Sequence, residues 1–372
     1  VEHWQRRDAV ADNAQLAQAY LEAYQYTRRT DFRAVAEDIF AYVLRDLTSL
    51  DGGFYSSEDA DSDGQEGAYY LWRRDVLDML LGKENAAFFA HCYGVQPDGN
   101  FDSHESYHAG LNILHKPWPP TATPWDDVAA KLAPLRARLL TVRPNRIRPG
   151  RDDKVLAAWN GMMISALARG AQVLAEPRYA DAARRAADFV LGNMRPGGVL
   201  VRSYHHGTLS QHGFLDDYAL MASALVDLYE TDFDPRWLRE ANALAEQMVE
   251  RFWDTDGGGF FSAPHDQGDL IARIKPVYDG AEPSGNAAAA MLLLRLARYL
   301  DRADYFDKAE QVLELNAVNL EFVPQGMLRM LCVVDSYLYP PVEVALVGPR
   351  DRADTKGLLR VLHDRFLPNR VV

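Results

Sequence analysis

Residues 56–72, SSEDADSDGQEGAYYLW, hold five carboxylates within nine positions: Glu58, Asp59, Asp61, Asp63 and Glu66. Such a cluster suits a calcium loop, the paired acids of a glycosidase, or a solvated turn. DADSDG puts Asp59, Asp61, Asp63 and Gly64 at positions 1, 3, 5 and 6 of an EF-hand loop. The bidentate Glu required at position 12 is replaced by Tyr70, which rules the EF-hand out, and no metal is expected. GGFYSSEDAD and GAYYLW read as two strands joined at the tip SDGQEG. Glu58, Asp59 and Asp61 then stand near the strands as candidate cavity residues, and the tip acids are solvated.

A second set of polar residues precedes or opens apolar segments, in RDDKVLAAWNG, GFLDDYA and DGAEPSGNA. It comprises Asp153, Trp159, Asn160, Asp216, Asp217, Tyr218, Asp279, Glu282, Ser284 and Asn286. Carboxylates beside Trp and Tyr suit a sugar, because an aromatic face covers the C–H side of the ring while acids accept hydroxyl hydrogen bonds. Asp, Asn and Ser before a helix also serve as N-caps, which accounts for about half of the set. Glycoside hydrolysis needs a carboxylate pair, and the candidates are Asp217 with Glu58 or Asp59; Asp216, adjacent to Asp217, is a further catalytic candidate, since two acids exceed what one cap needs. Proton transfer in an epimerase would instead use a histidine. His212, with His205 and His206, lies just before LDDY, where a solvated loop is the competing reading. His104, Glu105 and His108 imitate a metal triad without H-E-x-x-H spacing.

Four apolar segments carry these starts, and they repeat. Asn13, Asn160, Asp217 and Asn286 are followed 19, 19, 20 and 19 residues later by Phe32, Tyr179, Trp237 and Tyr305. Four residues on stand Ala36, Ala183, Ala241 and Ala309, and about twenty residues past each aromatic comes Gly53, Gly198, Gly259 or Gly326. Each unit reads as helix, turn, helix and a glycine-marked hairpin. The first helices are charge-poor: one charged residue in 13–26, one in 160–174, two in 217–229 and two in 286–299. Their partners carry six, five, six and six, in 31–48, 178–194, 236–251 and 304–321. A helix with almost no charge is buried on nearly all sides, whereas a striped one faces water. The expected fold is therefore mainly α: a toroid of helical hairpins with an inner apolar ring, an outer amphipathic ring and short β-hairpins. The toroid is expected over 1–335, with a degenerate hairpin and insert at 54–150. A small βαβ-like appendage, its last strand short, is expected over 336–372.

The net charge of −13 argues against a nucleic-acid partner. No run of 18 apolar residues predicts a membrane span, and the first residues contain no apolar signal core. Two distant cysteines, Cys92 and Cys332, fit a reducing, cytoplasmic setting without a dithiol centre or cofactor. The missing initiator Met fits a fragment or a processed product.

GGFYSSEDADSDGQEGAYYLW, GNF with LNILH, RDDKVLAAWNGMMISALA, GFLDDYALMASALVDLYE and DGAEPSGNAAAAMLLLRLA together resemble the YyaL-type thioredoxin-domain proteins, which include the spermatogenesis-associated thioredoxin-like proteins. The family's large domain is similar to six-hairpin glycosidases and N-acylglucosamine 2-epimerases. Its N-terminal thioredoxin-like domain has no counterpart in these residues, and one upstream hairpin of the toroid is missing. The resemblance implies a sugar or sugar-like ligand in a central funnel, hydrolysed or epimerised there. The alternative is a non-catalytic helical domain that binds a ligand or partner for a fused thioredoxin domain. Oligomeric state is open.

Overall fold

Alanine and leucine dominate the charge-poor segments, and with no proline inside them they form long helices that bury most of their circumference. The computed structural model describes residues 9–101, 109–115, 125–210, 212–268 and 270–372. In chain order its helices are α1 (Val10–Thr27), α2 (Thr30–Asp46), α3 (Arg74–Leu81), α4 (Lys83–Tyr93), α5 (Trp125–Val142), α6 (Ala157–Leu174), α7 (Pro177–Asn193), α8 (Leu215–Asp232), α9 (Pro235–Phe252), α10 (Gly285–Leu300), α11 (Ala303–Phe322), α12 (Leu328–Leu338) and α13 (Ala353–His363). The chain divides into two compact units: Val1–Ala9, Arg29–Val35 and Ser57–Asp152 in one, Val10–Arg28, Ala36–Ser56 and Asp153–Val372 in the other.

The larger unit has the α/α toroid organisation. The inner helices α1, α6, α8, α10 and α12 follow one another side by side, and α7, α9 and α11 pack outside their partners. The expected hairpins α1/α2, α6/α7, α8/α9 and α10/α11 are present, and α12 adds a fifth inner helix that the spacing does not foretell. The repeat extends to backbone strain. Arg28, Ala175, Phe233 and Asp301, each just past an inner helix, all adopt left-handed φ between 51° and 62°. Each costs roughly 1 kcal/mol in a non-glycine residue, so the turn into the outer helix is set by packing rather than by local preference. Pro177 and Pro235 then open α7 and α9 at positions where the missing N–H costs nothing.

Close approach needs a glycine at one place in particular. A Cβ on Gly161 would stand 2.8 Å from the backbone of Leu220 and Met221, so α6 and α8 touch main chain to main chain.

After α12, Val342–Glu343 pairs in parallel with Arg370–Val371, with α13 between them. This βαβ segment lies across the C-terminal ends of the inner helices. Arg360 donates to the carbonyls of Gln172 and Val173 (3.3 and 3.0 Å), Gln25 Nε2 donates to the His363 carbonyl (2.7 Å), and the Val372 N–H donates to the Tyr299 hydroxyl (3.2 Å). Orphan carbonyls at a helix end thereby gain charged donors.

The smaller unit contains α3, α4 and α5 around Trp72, Leu77, Phe89, Leu132 and Leu139. It corrects the expected strand pairing of the acidic stretch. Asp61–Ser62 pairs with Gln65–Glu66, while Ser57–Glu58 pairs with Arg151–Asp152 and Trp72–Arg73 with Leu111–Asn112. The reason is local: Asp63 (φ 54°) and Gly64 (φ 71°) both enter the left-handed region, as a two-residue type I′ turn requires, and the hairpin closes at once. GGGFFSA likewise forms only an isolated bridge, Trp253 to Phe260.

Candidate functional site

The starts of α6, α8 and α10 meet at one end of the larger unit, as expected, but most of their polar residues point into the protein. The Asn160 Oδ1 accepts from the Phe54 N–H (2.8 Å), and its Nδ2 donates to the carbonyls of Phe54 (3.0 Å) and Leu156 (2.9 Å). Asn286 does the same two repeats later, with the Phe260 N–H (2.9 Å) and the carbonyls of Phe260 (2.9 Å) and Pro276 (3.1 Å). Tyr218 holds Leu200 through its hydroxyl, which receives the N–H at 3.1 Å and donates to the carbonyl at 3.3 Å. Asn160, Asn286 and Tyr218 are therefore staples between an inner helix and the preceding glycine-marked loop, and all three are buried. Ser284 is the N-cap of α10, accepting from the Ala287 N–H at 3.3 Å.

Asp217 is fully buried and carries no solvent-facing oxygen. Its Oδ1 accepts from the Ala158 N–H (3.0 Å) and its Oδ2 from the Phe214 N–H (2.9 Å), with Arg202 3.5 Å away. Burial pushes its carboxyl up to about 7, reinforced by Asp216 and opposed by Arg202 and the two amides. Asp216 is 25% exposed and paired with Arg202 at 3.0 Å. Both Asp279 oxygens hold backbone amides, of Ser284 (2.9 Å) and Arg329 (2.8 Å).

Glu282 differs from these. It is half-buried on a cavity wall, and no backbone amide holds it among the described hydrogen bonds. Its carboxyl is raised above the ordinary range, chiefly by burial and further by Asp216 and Asp12; the neighbouring Trp159 indole and Arg202 counteract the rise. The Trp159 Nε1–H is buried and stands near the Glu282 carboxyl, outside ordinary hydrogen-bond geometry but close enough to favour its charged form.

The remaining candidates make other contacts. Asp153, 26% exposed, lies 4.0 Å from His206, and His205 and His206 are exposed on a hairpin. The half-buried His212 lends its backbone carbonyl to Arg202 N–H (3.2 Å). In the smaller unit Glu58 is buried and accepts from the Tyr70 hydroxyl at 3.1 Å, while Asp59 is exposed and accepts from the Asp61 N–H at 3.3 Å. The expected triad of His104, Glu105 and His108 lies outside the described residues. No group of three metal-ligating side chains is found among the described residues.

The cavity has a volume of about 910 Å³ and runs along α1, α6, α8, α10 and α12. Asp279 and Glu282 flank its mouth, and Met162, Leu220, Met291 and Leu294 form an apolar waist. Its far end, the floor, is a charged cluster that the motif reading overlooks. Arg295 donates to Asp227 (2.8 Å) and Glu230 (2.9 Å), Tyr299 donates to Glu230 (2.8 Å), and Ser165 donates to Asp227. Arg169 lies 3.8 Å from Asp227. Arg370, from the last strand, donates to the Gln172 side chain (3.0 Å), the Leu362 carbonyl (3.3 Å) and His363 Nδ1 (3.3 Å). Although burial favours its neutral form, Arg295 and Arg169 hold Asp227 below the usual carboxylate range. Burial and the neighbouring arginines together bring Arg370 down to about 10, against the opposing pull of Glu230 and Asp227, and His363 down to about 3. One signal could have found this cluster. A lone charge in an otherwise apolar inner helix, such as Arg169, Asp227 or Arg295, has only the lumen to face.

Comparison with known proteins agrees with this architecture. Residues 148–320 match the sequence signature of Glycosyl hydrolase family 76. A solved cellobiose 2-epimerase from Bacillus thermoamylovorans B4167 shares the fold, with a TM-score of 0.50 and 8% identity over 84% of this chain and 62% of the epimerase. Human spermatogenesis-associated protein 20 is 33% identical over 97% of this chain and 50% of its own length. An uncharacterised Caenorhabditis elegans protein is 29% identical over 96% of this chain and 53% of its own. The chain thus spans about half the length of the curated relatives it matches. No helix among the described residues is long and apolar enough to cross a membrane.

Proposed function

We propose that the larger unit binds a sugar ring at the mouth of its funnel and acts on it by acid–base chemistry, with Glu282 as proton donor. The observation that carries this reading is the Glu282 carboxyl itself: on the cavity wall, raised by burial and by Asp216, next to the Trp159 indole. Burial favours the protonated form of Glu282, which suits donation to a leaving oxygen, an aromatic neighbour suits the apolar face of a sugar, and Asp216, paired with Arg202, serves as the second carboxylate. Asp217 holds Arg202 and the two helix starts rather than touching the sugar. The family 76 signature over the central hairpins and the epimerase-like fold support carbohydrate as the ligand class. The spermatogenesis-associated relatives support membership of the YyaL-type family, in a reducing compartment where both cysteines stay free.

A panel of neutral and acidic mono- and disaccharides, followed by thermal shift and by reducing-sugar or epimer analysis, tests the proposal. Turnover that disappears in Glu282→Gln while binding persists is the expected result. Turnover undiminished in that variant would sink the assignment. A second reading, a non-catalytic binding domain in a thioredoxin-fused family, is favoured by how many polar residues at the mouth hold backbone instead of facing the cavity. Binding without turnover in the wild-type chain would select it.

A further inference from the structure

The two ends of the lumen differ in charge. Three guanidinium groups line its floor, Arg169, Arg295 and Arg370, and each comes from a different element. Asp227 and Glu230 face them and Arg295 bonds both, while Glu22 and Asp335 also line the cavity, Asp335 held by Asn369. His363, the other titratable group in contact with Arg370, is held neutral by burial and the surrounding arginines. Arg370 is the one of the three that bonds no carboxylate: it is 5% exposed, all three of its hydrogen-bond acceptors are neutral, and its Nε has no partner. Arg169 is only loosely engaged, 3.8 Å from a carboxylate that Arg295 already takes. A buried guanidinium that bonds no carboxylate is costly even with Glu230 and Asp227 nearby, and a planar fork with a spare N–H matches a carboxylate or phosphate.

We propose that the floor of the funnel is an anion site, and that the ligand is a sugar-sized molecule bearing a carboxylate or phosphate, its anionic group toward Arg370 and Arg169. This deepens the sugar reading and rests on it for the ring, not for the anion. The sugar ring then occupies the Met–Leu waist and the mouth.

The full chain is titrated with inorganic phosphate, D-glucuronate, glucose 6-phosphate and glucose at matched ionic strength, by calorimetry and thermal shift. Glucuronate or glucose 6-phosphate is expected to bind at least about tenfold more tightly than glucose, the discrimination one charge-assisted contact supplies. That preference vanishes in Arg370→Gln and in Arg169→Gln; the second, partly exposed and loosely paired, keeps the variant folded. A carboxylate or phosphate preference is read from the two acidic arms. Glucose binding as tightly as both acids overturns the anion site and leaves the sugar reading standing. Arginine-dependent phosphate binding with no sugar bound does the reverse. Acidic-sugar affinity unchanged in both variants, or no binding by any probe, overturns the anion site outright.

Discussion

The two ends of the inner helices solve the problem of buried polarity differently. At the mouth, Asn160, Asn286, Asp217, Tyr218 and Asp279 spend their polar atoms on backbone amides and carbonyls, fixing loops to helix starts. At the floor, Arg295, Asp227, Glu230 and Tyr299 bond one another, side chain to side chain. Backbone groups are neutral and always present, so the mouth tolerates an isolated polar residue. Charges at the floor need each other, and removing one exposes the rest. The largest expected effect follows. Arg295→Met leaves Asp227 and Glu230 buried and facing one another, and should cost about 3–5 kcal/mol in urea unfolding. Arg370→Gln, which loses only neutral partners, should cost about 1–2 kcal/mol. Equal losses would contradict the difference in pairing between Arg295 and Arg370 on which the anion site depends.

Next in size are the staples. Asn160→Ala and Asn286→Ala each strand a buried N–H and C=O, of Phe54 and Phe260 respectively, and should each cost about 2–3 kcal/mol. Near-equal losses would confirm that the two units are energetically equivalent. A loss at only one would show that the repeat has been kept in geometry but not in energy.

This contrast also explains what can be read from the chain in advance. The spacings that align Asn160 with Asn286 mark local duties, since a helix-start residue finds its loop through chain connectivity. Hence the inner and outer helices, the αβ appendage and the shared mouth were all legible. What the same polar residues do was less so, because a cap, a staple and a ligand contact use the same residue types. Asn160, Tyr218, Ser284 and Asn286 proved to be staples or caps, whereas Glu282, beside the N-cap Ser284, faces the cavity. The floor was illegible as a cluster. Arg169, Asp227, Arg295 and Arg370 are scattered over about two hundred residues, and only the toroid brings them together. Their rarity within apolar helices was the usable trace. Helix α12 escaped because no outer helix with the aromatic-to-alanine step follows it.

The pH dependence should separate the two ends by sign. Asp217 titrates at about 7 in the folded chain and near 3.8 when unfolded, so the folded state holds more protons between these values. Its contribution therefore declines as pH rises from about 4 to 7. His363 titrates at about 3 when folded and near 6.5 when unfolded, so its contribution is whole above 6.5 and declines as pH falls toward 3. Urea midpoints between pH 4.5 and 8 should thus tilt oppositely. Asp217→Asn should make the remaining profile more acid-labile, and His363→Asn should make it less so. The same tilt from both variants would contradict the assigned directions.

The smallest expected stability effect is the one most informative about function. Asp279 and Glu282 stand three residues apart in one loop and both line the mouth. Asp279 holds the amides of Ser284 and Arg329 and so joins α10 to α12, whereas burial and Asp216 raise the Glu282 carboxyl on the cavity wall. Asp279→Ala should cost about 2 kcal/mol, because two amides lose their acceptor. Glu282→Gln should change stability by no more than about 0.5 kcal/mol, or stabilise slightly, since a neutral amide avoids the burial penalty that lifts the carboxyl. A group that is dispensable for folding, kept in a costly electrostatic position on a cavity wall, is retained for what enters the cavity. If Glu282→Gln proved as damaging to folding as Asp279→Ala, Glu282 would join the staples and the acid at the mouth would have to be sought in Asp216.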